Sequence, residues 1–285
     1  MTRETARLLI TCPDQRGIIA AVAGFVAANN GNILEADQHT DPQHGEFFMR
    51  LEVELANFAL SPHTFGQAWA AVADRFAMRW RIFWGNQAKR MAILVTKEGH
   101  CLSDLLWRWK SGELPVDITF VAGNHQDLAD HVAACGVPFH YLPPTAARSE
   151  VHEQRLRALL TQDRVDVIVL ARYMQILSPQ FVADYQERII NIHHSFLPAF
   201  AGPRPYHQAY ERGVKIIGAT SHYVTEELDK GPIIAQATLP IDHRDTIDDL
   251  VRKGRDLERV VLAAAVRLHV EDKLLVSKNR TIVFD

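Results

Sequence analysis

From residue 92 onward, short apolar runs alternate with longer amphipathic stretches, and the apolar runs are unbroken: AILVT, DITFVAG, PFHYLP, VDVIVLA, RIINIH, KIIGATSHYV and PIIAQATLPI. A strand with one face in water alternates apolar with polar residues. A continuous apolar run is what a strand needs when both of its faces are covered. Between the first of these strands lie CLSDLLWRWK, DLADHVAACG and SEVHEQRLRALLTQ, which have helical spacing. Repeats of this kind fold as an open, doubly wound, mostly parallel α/β sheet, whose ligands sit beyond the carboxyl ends of the strands. The later stretch HRDTIDDLVRKGRDLERVVLAAAVRLHVED predicts a long helix with an apolar stripe of Ile247, Leu250, Val251, Leu257, Val260, Val261 and Leu268. Its expected part is packing, without chemistry.

Residues 6 to 85 carry a different rhythm. ARLLITC predicts a strand and GIIAAVAGFVAANN a helix, with Gly31 suited to a left-handed stop. NILEADQHTD and EFFMRLEVEL predict a hairpin turning through Pro42 to Gly45, with Phe47, Met49, Leu51 and Val53 on one face. SPHTFGQAWAAVADRFA predicts a helix capped by Ser61, and MRWRIFW a closing strand. The sum is a ferredoxin-like βαββαβ unit. That order, carried by QRGIIAAVAGFVAANNGNILEADQH, resembles the ACT domain, a small amino-acid-sensing module of metabolic enzymes. The resemblance implies an effector site at Asp14 to Gly17, Gly31, Asn32 and Ile33, with the effector held against backbone groups at a dimer interface. Turn-forming glycines in a purely structural dimerisation module explain the same residues.

The chain of 285 residues is long enough for two cores. The expected division is 1–85, a polar linker 86–91 and 92–285. A net charge of -3 with no basic cluster excludes nucleic acid and anionic membranes as expected partners. No apolar run approaches the roughly 18 residues of a membrane span, and the start shows no signal-peptide core. The cytoplasm is the expected location. Cys12, Cys101 and Cys135 form neither a disulfide framework nor a CxxC pair. With 14 histidines but no HExxH, no metal and no cofactor are expected.

The chemistry concentrates at NIHHSFLPAF, residues 191–200, directly after the apolar pair Ile189 and Ile190. On an extended backbone Asn191 and His193 project to one side while Ile192 enters the core. The amide can donate to an oxygen gaining negative charge, and the imidazole can move a proton. Asp229 precedes Lys230, Gly231 and Pro232, a turn that holds the carboxylate on a loop of set shape. An amide, an imidazole and a fixed carboxylate suit acyl-group chemistry without a serine or cysteine nucleophile. His194 faces away from His193, and Ser195 lacks the GxSxG turn, so both are expected to support the site from behind. His207 and His222 read as structural, Glu226 and Glu227 as solvated.

NIHHSFLP, RYMQILSPQFV (172–182) and SHYVTEELDKGPII together resemble the formyltetrahydrofolate-dependent formyltransferase family. HHSFLPAF and PYHQAYERGVKIIGATSHYVTEELDKGPI, with the closing RTIVFD, are similar over nearly the whole chain to its water-using deformylase branch. The resemblance implies that Asn191 and His193 stabilise an oxyanion and that Asp229 orients water and relays a proton. Met174, Gln175, Ile176 and Leu177 would read the pterin, with Val224 and the rest of 219–229 closing the other side. The substrate implied is 10-formyltetrahydrofolate, with water as acceptor; folate is then substrate and not cofactor. Transferases of this fold carry a Gly/Ser-rich phosphate cradle after the first strand, but here the loop reads TKEGHCLSDL, with a single glycine. Transfer to an amine and non-catalytic sensing stay open at this point. Glycine or methionine is the expected effector, and a homodimer or homotetramer the expected assembly.

Overall fold

The computed structural model describes residues 3–85, 87–143, 150–199 and 205–285. By internal contacts the chain divides into two units. The first runs to Gln87 and takes in Asp272–Ser277 and Ile282–Asp285, and the second comprises Ala88–Glu271 and Lys278–Thr281.

In the first unit β1 (Thr5–Pro13), α1 (Ile18–Ala28), β2 (Asn32–Asp41), β3 (Glu46–Glu54), α2 (Phe65–Arg75) and β4 (Arg79–Trp84) follow in βαββαβ order. The sheet order is β2-β3-β1-β4, with every pair antiparallel. Helix α1 buries Ile18, Val22 and Val26 at four-residue spacing, against a core that includes Trp69, Phe65 and Leu51. Two helix ends differ from expectation. Asn30, at φ 56°, makes the left-handed stop of α1. Gly31 is needed for space, since a Cβ there would lie 2.5 Å from Val26 Cγ1. Helix α2 starts at Phe65, four residues beyond Ser61. The Ser61 backbone N–H donates to Thr64 Oγ1 at 2.9 Å, so residues 61–64 form a hydrogen-bonded turn before the helix.

The C-terminal residues, expected within 92–285, pack in this first unit. Leu275 and Phe284 share an apolar cluster with Leu9 and Phe48. Arg7 Nε donates to the buried Asp272 carboxylate at 2.8 Å, and Arg50 Nε to its carbonyl at 3.1 Å. A segment remote in sequence thus joins Phe83 in covering Leu9 and Phe48, and no local pattern announces that.

The remaining elements are β5 (Lys89–Val95), α3 (His100–Ser111), β6 (Val116–Gly123), α4 (Ala129–Ala134), β7 (Phe139–Tyr141), α5 (Glu150–Gln162), β8 (Val167–Leu170), α6 (Pro179–Asp184), β9 (Ile189–His193), α7 (Pro205–Arg212), β10 (Ile216–Tyr223), β11 (Ile233–Pro240), α8 (Ile247–Val270), β12 (Leu274–Ser277) and β13 (Arg280–Val283). The sheet order is β12-β13-β11-β10-β9-β8-β5-β6-β7. Strands β5 to β9 are parallel, and β10 runs antiparallel to both β9 and β11. Ala92, Ile93, Leu94, Val167, Ile168 and Val169 are all buried, as unbroken apolar runs require. Lys89 and Arg90, assigned by polarity to the linker, begin β5 instead. At the start of the strand their side chains reach polar partners, Lys89 donating to His269 O and Arg90 to Asp117. The chain leaves β5 for β6 on one side and later returns to β8 on the other. The carboxyl ends of β5 and β8 therefore form the topological switch point, where such sheets open a ligand crevice.

Candidate active site

Strands β9 and β10 pair with Asn191 opposite His222 and His193 opposite Thr220. Asn191 Nδ2 lies 3.2 Å from His222 Nε2, and His222 Nδ1 lies 2.9 Å from the Tyr223 carbonyl. A carbonyl only accepts, so Nδ1 carries the proton and Nε2 accepts from the Asn191 amide. Burial, the leading influence, lowers the pKa of His222 and keeps it in this neutral form. Its ring therefore fixes the plane of the Asn191 amide, leaving the second N–H of that amide for a ligand.

His193 is buried. Its Nδ1 lies 3.3 Å from Asp229 Oδ1, and the same oxygen is 3.8 Å from His222 Nε2. The other ring nitrogen, His193 Nε2, is buried without a hydrogen-bond partner among the described residues. The hydrogen bond from His193 holds the Asp229 carboxyl below its ordinary range against the opposing effect of burial, so Asp229 is an anion at neutral pH. The loop that presents Asp229 is tightly determined. Asp229 itself is left-handed, at φ 56°. A Cβ at Gly231 would lie 1.8 Å from the Tyr223 carbonyl oxygen, the acceptor for His222. Only glycine lets this loop close over the end of β10.

Behind this trio, the rings of His193 and His194 are 5.2 Å apart. Burial first, and the Arg172 charge second, push His194 down to about 4. The native state thus refuses a proton that the unfolded chain binds near 6.5. Stability is complete above about pH 6.5 and falls as pH drops toward 4, by up to about 3 kcal/mol for this group; His222 contributes in the same direction. Urea midpoints measured from neutral pH to pH ~4.5 should decline, and His194→Asn should flatten the decline. Ser195 Oγ donates to Ala199 O at 2.9 Å, and Thr220 Oγ1 to Ser195 O at 2.9 Å. Ser195 thereby shapes the turn after His193.

The other expected residues divide. Met174 and Ile176 are 58% and 57% exposed, unusual for such side chains, and Gln175 is exposed beside them. Leu177 points into the core with Phe181, and Val224 packs against the same cluster. In the first unit Asp14 and Gly17 line an open cavity of about 660 Å³ with Gln38 and Thr40. Asn32 and Ile33 do not line it. Asn32 binds Glu54 at 3.1 Å and Ile33 packs on the core.

Two features escaped the sequence. His222 reads as structural there, although an imidazole directly across an antiparallel pair from Asn191 is legible only once the register is known. Glu258 is 1% exposed. Its signal is visible in retrospect, since it falls on the buried face of α8 with Leu250, Gly254, Val261 and Leu262. His100, Cys101 and Glu258 bring donor atoms within 4.8 Å of one another, a spacing open to a metal. The donor set argues otherwise. Glu258 already takes His100 at 2.7 Å and Tyr206 at 2.7 Å, and Arg172 stands 3.6 Å away as a fixed cation.

The doubly wound sheet carries an amide, an imidazole and a carboxylate at and beyond its strand ends, and the match of residues 89–266 to the formyl transferase family places it in that class. Residues 6–56 match the ACT domain family. Over its full length the chain belongs to the formyltetrahydrofolate deformylase family. It is 52% identical to the formyltetrahydrofolate deformylase of Synechocystis sp., each covered in full. A solved structure of a formyltetrahydrofolate deformylase from Pseudomonas syringae is 48% identical, with a TM-score of 0.97 over 100% of this chain and 96% of that one. A glycinamide ribonucleotide transformylase from Symbiobacterium toebii shares the fold at 31% identity and a TM-score of 0.67, over 71% of this chain and 97% of that one.

Proposed function

We infer that this chain hydrolyses 10-formyltetrahydrofolate to formate and tetrahydrofolate, supplying formate to purine and one-carbon metabolism from the cytoplasm. The observation that carries this reading is His193, with Nδ1 facing the Asp229 carboxylate, Nε2 unpartnered among the described residues, and Asn191 two residues before it on the same strand. Water adds to the formyl carbon and gives a proton to His193 Nε2. Asp229 steadies the imidazolium that results. The second N–H of Asn191 meets the developing oxyanion. The tetrahedral adduct collapses with cleavage of the bond to N10, and the proton held by His193 passes to that nitrogen. Met174, Gln175 and Ile176 offer exposed contact area for the pterin, with Leu177 and Val224 supporting them from the core side. Every acid, base and oxyanion donor in this scheme is a side chain of the protein, so it calls for no cofactor and no metal.

The test is formate release from 10-formyltetrahydrofolate by purified protein with no added amine, metal or nucleotide. Binding without release would turn the reading toward a sensor.

The first unit is assigned to regulation. Its cavity, lined by Asp14, Arg16 and Gln38 among others, suits a small zwitterion, and glycine or methionine fits by chemistry. Titrating each amino acid into the formate assay should shift the rate at saturation by several-fold for one of them, and flat curves for both would remove the assignment. A homodimer or homotetramer is the assembly proposed with it.

A further inference from the structure

At the switch point four side chains from separate elements converge. Arg172 follows β8 directly and is left-handed, at φ 61°, a conformation that disfavours every side chain but glycine's absence of one. It turns toward Glu258 of α8, 3.6 Å away. His100, the first residue of α3 after β5, binds the same carboxylate at 2.7 Å. Tyr206 of α7 donates to the other carboxylate oxygen at 2.7 Å. Gly254 makes room for that ring, since a Cβ there would sit 2.0 Å from the tyrosine hydroxyl. Burial, the largest influence, works to raise the pKa of Glu258, but the His100 bond, the Arg172 charge and the Tyr206 bond together bring it below its ordinary value. The cluster is thus a buried ion pair.

Such a cluster is a poor way to gain stability, because desolvating two charges offsets most of their attraction. Two of its nitrogens are also left over: among the described residues, Arg172 Nε and His100 Nδ1 are buried without hydrogen bonds. Its position is better explained by the chemistry next to it. The Tyr206 ring is 6.1 Å from that of His194, which in turn lies 5.2 Å from that of His193. The shared fold serves a transformylase, whose formyl group leaves for a ribonucleotide amine, as well as deformylases. What separates the two outcomes is what can stand beside the formyl carbon.

We propose that Arg172, Glu258, His100 and Tyr206 are specificity-determining residues that reserve the formyl group for water, by occupying the crevice through which a primary amine would reach it. This rests on the assignment of Asn191, His193 and Asp229 as the reacting site. With the crevice open, an amine nitrogen attacks the formyl carbon and loses a proton. The bond to N10 breaks, N10 takes a proton, and the products are an N-formyl amine and tetrahydrofolate.

The experiment supplies glycinamide with 10-formyltetrahydrofolate and separates N-formylglycinamide from formate. The main variant is Arg172→Gly with Glu258→Gln, which suits the left-handed backbone and removes both charges together. Tyr206→Ala opens the same space while leaving Glu258 its partners His100 and Arg172, and serves if the first variant does not fold. The buried Cys101 beside the cluster reports opening through labelling by a thiol reagent, located by mass spectrometry. Wild type should give formate alone at every glycinamide concentration. The opened variants should label at Cys101, still release formate, and form N-formylglycinamide in proportion to the amine, at least tenfold above wild type. Continued formate release with the product ratio at the wild-type level overturns the proposal, whether Cys101 labels or stays shielded. A wild type that releases no formate is a separate failure, that of the hydrolase reading.

Discussion

Replacing Asp229 with alanine should lower formate release by about 10³-fold, the middle of the range for a positioned acid–base group. Two histidines face this carboxylate, at 3.3 Å and 3.8 Å. Without it, His193 loses the anion that stabilises its protonated form and the partner that fixes which nitrogen carries the proton. Asp229→Asn keeps the volume and the loop geometry but not the charge, so it separates the two roles. Equal loss in both variants, with unchanged urea stability in the asparagine form, is the expected result. Near-wild-type turnover in Asp229→Asn would assign Asp229 to loop structure alone. Because the His193 bond holds Asp229 below its ordinary pKa, its protonation should not limit the rate until pH falls below about 3.8. The pH profile near neutrality reports the coupled set and not this group by itself.

Asn191→Ala should reduce kcat by about 10²- to 10³-fold with little change in KM, as expected for a donor that bonds the transition state more strongly than the ground state. The variant also leaves His222 Nε2 without its 3.2 Å donor. That loss is structural and is corrected for by His222→Gln, which retains Asn191 but lets its amide turn. If orientation of the amide matters, His222→Gln should lower kcat by an intermediate factor. A raised KM with kcat unchanged in Asn191→Ala would show uniform binding and end the oxyanion assignment.

Much of this arrangement is legible in the amino-acid order. The period-two projection of Asn191 and His193 about Ile192, and the Asp-Lys-Gly-Pro turn, single out three candidate groups without knowledge of the fold. The resemblance then supplies their roles. The short helices α6 and α7 escape although Ser178 caps the first by accepting from Phe181 N, because neither carries a long apolar stripe: α6 buries Phe181 and Val182, and α7 buries Pro205, Tyr206 and Ala209. His222 escapes because cross-strand register is a long-range property: nothing near residue 222 says that residue 191 lies opposite. The cluster at the switch point escapes for the same reason on a larger scale, its members coming from α3, the end of β8, α7 and α8.

The sequence by itself determined the two sheets, the buried character of the parallel strands and the residues at the end of β9, because apolar periodicity and turn chemistry are local. The tertiary structure alone decided that the C-terminal residues complete the first unit, that His222 holds Asn191 in plane, and that Glu258 meets Arg172. Those pairings depend on strand register and on which helix covers which crevice, and both are set by burial summed over the whole chain.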